Sequence, residues 1–219
     1  MHQIDLGDDL RERNREIAEE NRKMLEDSSV LAINIMSAPG AGKTSLLVRS
    51  LPLLIDRSMR VGVIEGDVQT NRDAERVRET GVEVYQIQTG GVCHLDASMV
   101  HSALHEMDLG PLDLLLIENV GNLVCPAEFE LGDDARVMLL SITEGDDKPK
   151  KYPLMFRESR LLILNKIDLI EMVDFDLGKA KAEARDINPD IEIIELSCRT
   201  GQGIGEWVSW VERFRKEAV

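Results

Sequence analysis

The chain has 219 residues and a formal net charge of −15, enough length for one α/β domain with its own core, or one with a short appendage. Such a surface repels nucleic-acid backbones and anionic membranes, so neither is an expected partner. No apolar run approaches the roughly twenty residues that span a bilayer, the N-terminal stretch is polar, and Cys93, Cys125 and Cys198 form no disulfide framework, so the cytoplasm is the expected compartment.

Residues Asp8 to Asp27 read as a helix rich in Glu and Arg, with Leu10, Ile17, Met24 and Leu25 as a thin apolar stripe. Residues 1–28 are expected to be a helical segment and 29–219 the main domain. From Val30 the texture changes to strand–helix alternation. Val30–Met36 is a continuous apolar run, as in a strand buried on both faces. A glycine-rich loop leads to the helical Ser45–Leu54. Then come strand Arg60–Glu65, helix Arg72–Glu79, strand Val82–Ile87, helix Ala97–Glu106 and strands Leu112–Glu118, Arg136–Ile142 and Leu161–Asn165. Helix Gly178–Arg185, strand Ile191–Leu196 and helix Glu206–Lys216 complete the order. This alternation predicts a three-layer α/β fold, a mainly parallel sheet with helices on both faces.

Ser37-Ala-Pro-Gly-Ala-Gly-Lys-Thr44 falls between the first strand and its helix, where phosphate binding needs it. Glycines let the backbone fold around the oxygens, and inward N–H groups join the positive end of the helix. Pro39, Gly40, Ala41, Gly42, Lys43, Thr44 and Ser45 are the candidate phosphate ligands, with Lys43 reaching the β- and γ-phosphates and the Thr44 hydroxyl ligating Mg²⁺. Ser37 replaces the usual first glycine of this P-loop motif. The fold class is therefore that of P-loop NTPases.

Asn165-Lys-Ile-Asp168 follows an apolar strand about 120 residues after the P-loop. Guanine presents N1–H and N2–H₂ side by side, and one carboxylate, Asp168, can accept both. Adenine would leave that carboxylate unpaired at a cost of several kcal/mol, so GTP is the expected nucleotide. The Lys166 stem can cover the base, and Asn165 can brace the loop. Ser197, Cys198 and Arg199 open a second loop whose backbone can meet the base oxygen, with Cys198 as a small buried filler.

Asp67 and Glu118 each end a strand beside the P-loop, the end at which open α/β sheets bind ligands. Both are candidates to hold Mg²⁺, and Asp67 to orient the attacking water. Gly121 can offer its N–H to the γ-phosphate. With no evident water-positioning glutamine and no nameable arginine finger, slow intrinsic hydrolysis is expected.

Cys93-His94 is an adjacent thiolate–imidazole pair, and Cys125 lies four residues beyond Gly121. Three S/N ligands suit Zn²⁺ or Ni²⁺ and leave a position open for transfer. On spacing alone they read equally as two buried cysteines and a satisfied histidine. The closeness of Cys125 to Gly121 offers a route from nucleotide state to metal affinity. His101 and His105, at i and i+4, could also bind a metal, but with no HExxH glutamate they read as an ordinary helix face.

Glu65-Gly-Asp-Val-Gln-Thr-Asn-Arg-Asp73, Gly90-Gly-Val-Cys-His-Leu-Asp96, Glu118-Asn-Val-Gly-Asn-Leu-Val-Cys-Pro126 and Glu144-Gly-Asp-Asp-Lys-Pro-Lys-Lys-Tyr-Pro153 together resemble the HypB family, over residues 30 to 218. The resemblance implies a GTPase of the signal-recognition-particle-like branch that dimerises with GTP, works with the small metallochaperone HypA and assists nickel insertion into the [NiFe]-hydrogenase large subunit. It implies Cys93, His94 and Cys125 as labile nickel or zinc ligands at a dimer interface, and Lys148 or Lys151 as a contact to the partner protomer or its nucleotide. Only His2 lies near the N-terminus and no cysteine precedes Cys93, so gated transfer is expected rather than storage. The alternatives are a urease-accessory GTPase resembling UreG, whose C-P-H motif is not matched here, and a nucleotide-gated scaffold with structural cysteines. A small-molecule kinase is disfavoured by Asn165 and Asp168.

Overall fold

The computed structural model describes residues 6–67 and 72–218. Seven strands form one sheet: β1 Leu31–Ser37, β2 Val61–Asp67, β3 Glu83–Gln88, β4 Leu114–Glu118, β5 Ala135–Ser141, β6 Leu161–Asn165 and β7 Glu192–Leu196. Their order is β3-β2-β4-β1-β5-β6-β7, and every pairing is parallel. All seven correspond to strands expected from the sequence. The helices are α1 Leu6–Asp27, α2 Lys43–Asp56, α3 Arg72–Arg78, α4 Ala97–Glu106, α5 Cys125–Glu128, α6 Lys148–Lys151, α7 Pro153–Arg157, α8 Leu177–Ile187 and α9 Ile204–Ala218.

The strand side chains alternate between two covered faces, which is why the central strands are apolar throughout. Leu31, Ile33, Ile35, Leu114, Leu116, Val137, Leu139 and Ile163 point to one face, where Leu46, Leu47 and Leu51 of α2 and Trp207, Trp210 and Phe214 of α9 cover them. On the opposite face Ala32, Ile64, Leu115 and Ile117 meet Leu25 of α1 and Val100 and Leu104 of α4. Further along that face Met36, Met138, Leu140, Leu162 and Leu164 meet Met155 and Phe156 of α7 and Ala180 and Ala184 of α8. The three-layer arrangement makes β1 the switch point. Its neighbours β4 and β5 connect in opposite directions across the sheet, so a crevice opens at its carboxyl end.

One sequence expectation changes. The buried stripe of α1 is Asn14, Ala18, Asn21 and Leu25, whereas Leu10 is 64% exposed. Both asparagines are spent on backbone groups of the main domain, so polar residues occupy the face that periodicity gives to apolar ones. The α1 backbone also runs so close to Gly132 that a Cβ there would stand 2.6 Å from the Ala18 carbonyl. The lysine-rich stretch after Asp147 is two short helices, α6 and α7, each with a proline in its first turn. Lys151 pairs with Asp147 at 2.5 Å and Lys150 with Glu183 at 2.7 Å.

Candidate nucleotide and metal sites

The P-loop leaves β1 at Ser37 and enters α2 at Lys43. Gly40 and Gly42 take positive φ values of 75° and 109°, the left-handed region that favours glycine. Gly42 is also closely packed, since a Cβ there would stand 2.5 Å from Asn165 Nδ2. Ser37 fits without strain because it is the last residue of a strand. Its Oγ accepts from Lys43 Nζ at 3.0 Å, so the serine seats the phosphate-binding lysine. Burial pushes the Lys43 ammonium below its usual range, opposed first by Glu118 and then by Asp73, Glu65 and Glu144. A polyphosphate would oppose that effect further.

Thr44 Oγ1 donates to Glu118 Oε1 at 2.9 Å, which brings the first turn of α2 to the end of β4. Glu118 lies beside Glu65 in the parallel register of β4 and β2, and both are buried. Glu65 was not singled out from the sequence, although a carboxylate inside the apolar run of β2 was the available signal. Asp67 ends β2, and its side chain lies outside the described residues. A cleft of about 420 Å³ is lined by the P-loop, Glu65, Asp73, Arg76, Glu118 and the segment from Asn119 to Gly121. Gly121 is there for close approach, since its Cβ would stand 2.9 Å from the Pro39 backbone.

A second cleft continues from the first past Gly42 and Ser45 and is lined by Asn165, Lys166, Asp168, Leu169, Cys198 and Arg199. Asn165 Nδ2 donates to the Ala41 carbonyl at 2.8 Å and Lys166 Nζ to the Gly40 carbonyl at 2.8 Å, so this loop is tied directly to the P-loop. Asn165 Oδ1 accepts the Cys198 N–H, joining the loops after β6 and β7. Ser197 Oγ donates to Asp168 Oδ1 at 2.6 Å, and Arg199 lies 3.7 Å from its other oxygen. Burial pushes the Cys198 thiol up to about 11, in keeping with a packed filler. The sequence candidates for phosphate and base thus lie along one continuous crevice.

Cys93, His94 and Cys125 come together at the same edge of the sheet, their ligand atoms all within 4.8 Å of one another. The two sulfurs are 3.3 Å apart, and His94 stacks on Phe129 with ring centres 4.1 Å apart. Burial raises the Cys125 thiol, with its hydrogen bond to Cys93 next in effect, and burial also lowers His94; the neutral imidazole is ready to ligate a metal, whereas the Cys125 thiol must lose its proton to do so. Two sets of contacts fix the loops. Asn119 Oδ1 accepts the Leu95 N–H at 3.1 Å, linking the residue after His94 to the segment that reaches Gly121. Asn14 of α1 accepts from the Ala97 N–H and donates to the Glu130 carbonyl, both at 2.8 Å, bridging the Cys93 and Cys125 segments from outside. Neither asparagine was a sequence candidate.

The CobW/HypB/UreG nucleotide-binding domain family matches residues 31–195. The hydrogenase maturation factor HypB of Azotobacter vinelandii is 53% identical over 96% of this chain and 69% of its own length. The crystal structure of HypB from Archaeoglobus fulgidus superposes with a TM-score of 0.85 at 43% identity, covering 93% of this chain and 98% of that one. HypB from Helicobacter pylori, solved in complex with nickel, gives a TM-score of 0.88 at 37% identity over 94% and 96% of the two chains.

Proposed function

The chain belongs to the HypB family of hydrogenase maturation factors, and on that premise we propose that it is a GTP-hydrolysing metallochaperone for nickel insertion into [NiFe]-hydrogenase. In this reading it dimerises with GTP, and dimerisation is coupled to a labile nickel or zinc site made by Cys93, His94 and Cys125. The observation that carries the proposal is the Asn119–Leu95 bond, because it connects the phosphate cleft to the metal ligands in one step.

GTP lies along the crevice with its base at Asp168 and its phosphates over the P-loop N–H groups and Lys43. Asn165 and Lys166 hold the two ends together. The hard oxygen donors of Thr44 and Glu118, 2.9 Å apart, fit Mg²⁺; with Asp67 they would hold it, and it would neutralise phosphate charge. Asp67 orients the attacking water. Gly121, packed on Pro39, registers the γ-phosphate, and Asn119 passes its shift to Leu95 and His94. Val92 and Val124, exposed at 40% and 50%, flank the two cysteines and supply apolar surface for a second protomer there. Lys148 or Lys151 contacts that protomer or its nucleotide. Helix α1, Leu6–Asp27, braces the metal loops of the GTPase domain. The cytoplasm is the compartment, HypA the metal-handling partner and the hydrogenase large subunit the target.

The test measures Ni²⁺ and Zn²⁺ affinity together with molecular mass, first with GDP and then with a non-hydrolysable GTP analogue. A GTP-state dimer with altered metal affinity, lost on Cys93→Ala or Cys125→Ala, is expected. Unchanged mass and metal affinity in both states would leave a nucleotide-gated scaffold with structural cysteines.

A further inference from the structure

Of the four histidines in the chain, two form a cluster apart from the site above. His101 and His105 lie one turn apart on α4, and the fold brings their Nε2 atoms to 3.1 Å with the rings edge-on. Two nitrogens each about 2.1 Å from one divalent cation stand about 3.0 Å apart at a right angle and about 3.4 Å apart at a tetrahedral one. The observed separation falls between these values.

The His101 ring is held in the required state by a buried amide. Asn21 of α1 is fully buried and donates its amide protons to the Ala97 and Leu131 carbonyls, both at 2.9 Å. Its Oδ1 can then only accept, and the group on it is His101 Nδ1 at 2.8 Å. Nδ1 therefore carries the ring proton and Nε2 keeps its lone pair, as metal-ligating histidines do when the other nitrogen is hydrogen-bonded. His105 is exposed and His101 half-buried, so a cation reaches the pair from solvent while one ring is already oriented. The net charge of −15 favours cation approach.

We propose that His101 and His105 form a second divalent transition-metal site, independent of Cys93, His94 and Cys125, taking Ni²⁺ or Zn²⁺ through the two Nε2 atoms with water in the remaining positions. Imidazole suits both metals. With two neutral ligands and no thiolate, the site binds more weakly and exchanges faster than the cysteine site.

The test uses the full chain carrying Cys93→Ser and Cys125→Ser, without nucleotide, titrated by calorimetry with Ni²⁺ alone and with Zn²⁺ alone. Histidine-ring ¹⁵N spectra are recorded with Zn²⁺. One equivalent of metal should bind, and the Nε2 resonances of His101 and His105 should shift together. Adding His105→Ala should abolish that equivalent; because His105 is exposed, this change leaves the packing of α4 in place. Adding His2→Ala should leave it intact. Absence of binding, survival of binding in the His105→Ala form, or loss of binding with His2→Ala would each overturn the proposal.

Discussion

Asn119 accepts the Leu95 N–H at 3.1 Å through the same Oδ1 that accepts the Val120 N–H at 2.9 Å. One fully buried side chain therefore holds the loop after β4 and the loop bearing Cys93 and His94. Leu95 is wedged from the other side by β2, where a Cβ on Gly66 would stand 2.8 Å from its side chain. A displacement near the phosphates cannot be absorbed locally, because packed contacts lie on both sides of Leu95. Asn119→Ala leaves these two N–H groups short of a partner and should cost about 1–3 kcal/mol of stability. The diagnostic effect is separate from that cost. Nickel affinity should become equal in the GDP and GTP-analogue states while both nucleotides still bind. Calorimetric metal titrations in each state check it, and a retained difference would mean that coupling runs elsewhere.

The sulfurs of Cys93 and Cys125 are 3.3 Å apart, whereas Cys198 is buried in the wall of the base cleft with its thiol pushed up to about 11. Reactivity follows the thiolate and its access. A stoichiometric two-electron thiol oxidant such as diamide should join Cys93 to Cys125, releasing two protons and two electrons to the oxidant. Titratable thiols should fall from three to one, with loss of nickel binding at this site. Bound nickel should protect the pair. Thiol counting with and without nickel, and peptide mapping of the bond, check this; modification of Cys198 ahead of Cys93 would contradict it.

Strands β1, β4, β5 and β6 were legible because burial on both faces writes continuous apolar runs, and the P-loop and Asn165–Asp168 because their chemistry fixes residue type at close spacing. The contacts that join the sites were not. Asn14 reaches Ala97 across 83 residues and Asn119 reaches Leu95 across 24, and an asparagine carries no periodic signal. Residues Asn14 and Asn21 even reverse the rule, occupying the buried stripe of α1 while Leu10 stays in solvent. The pairing of Glu65 with Glu118 depends on β2 lying next to β4, which sequence order does not specify. Helices α6 and α7 are too short for a 3.6-residue period to register.

Asp168 is held by the Ser197 hydroxyl at 2.6 Å at the far end of the crevice. In the proposed complex its two oxygens accept the guanine N1–H and N2–H₂ pair. Asp168→Ala removes two charge-assisted bonds, and GTP affinity should fall by about 100-fold or more. ATP, which the proposed base site excludes, should change little. Competition of GTP and ATP against a fluorescent guanine nucleotide checks the ratio. Equal weakening of both would locate base recognition at other residues.

Asp113 offers a pH test away from either site. Arg60 grips both its oxygens at 2.9 Å, and Arg215 adds a contact at 2.6 Å. The Arg60 hydrogen bonds, with Arg215 contributing, hold the carboxyl down at about 2 despite its burial. A carboxylate whose folded pKa lies below its unfolded value near 3.9 stabilises the fold above that unfolded value. That stability drains away as pH falls from about 4 through about 2, because the unfolded chain takes up the proton first. Asp113 should therefore contribute at most about 2.6 kcal/mol at neutral pH. Asp113→Asn should lower stability by up to that amount at pH 7 and flatten the acid limb of the stability curve. Urea unfolding of both proteins between pH 2 and pH 7 checks the sign. If the two curves kept a constant gap down to about pH 2, the Arg60–Asp113 pair would not be the source of the acid sensitivity.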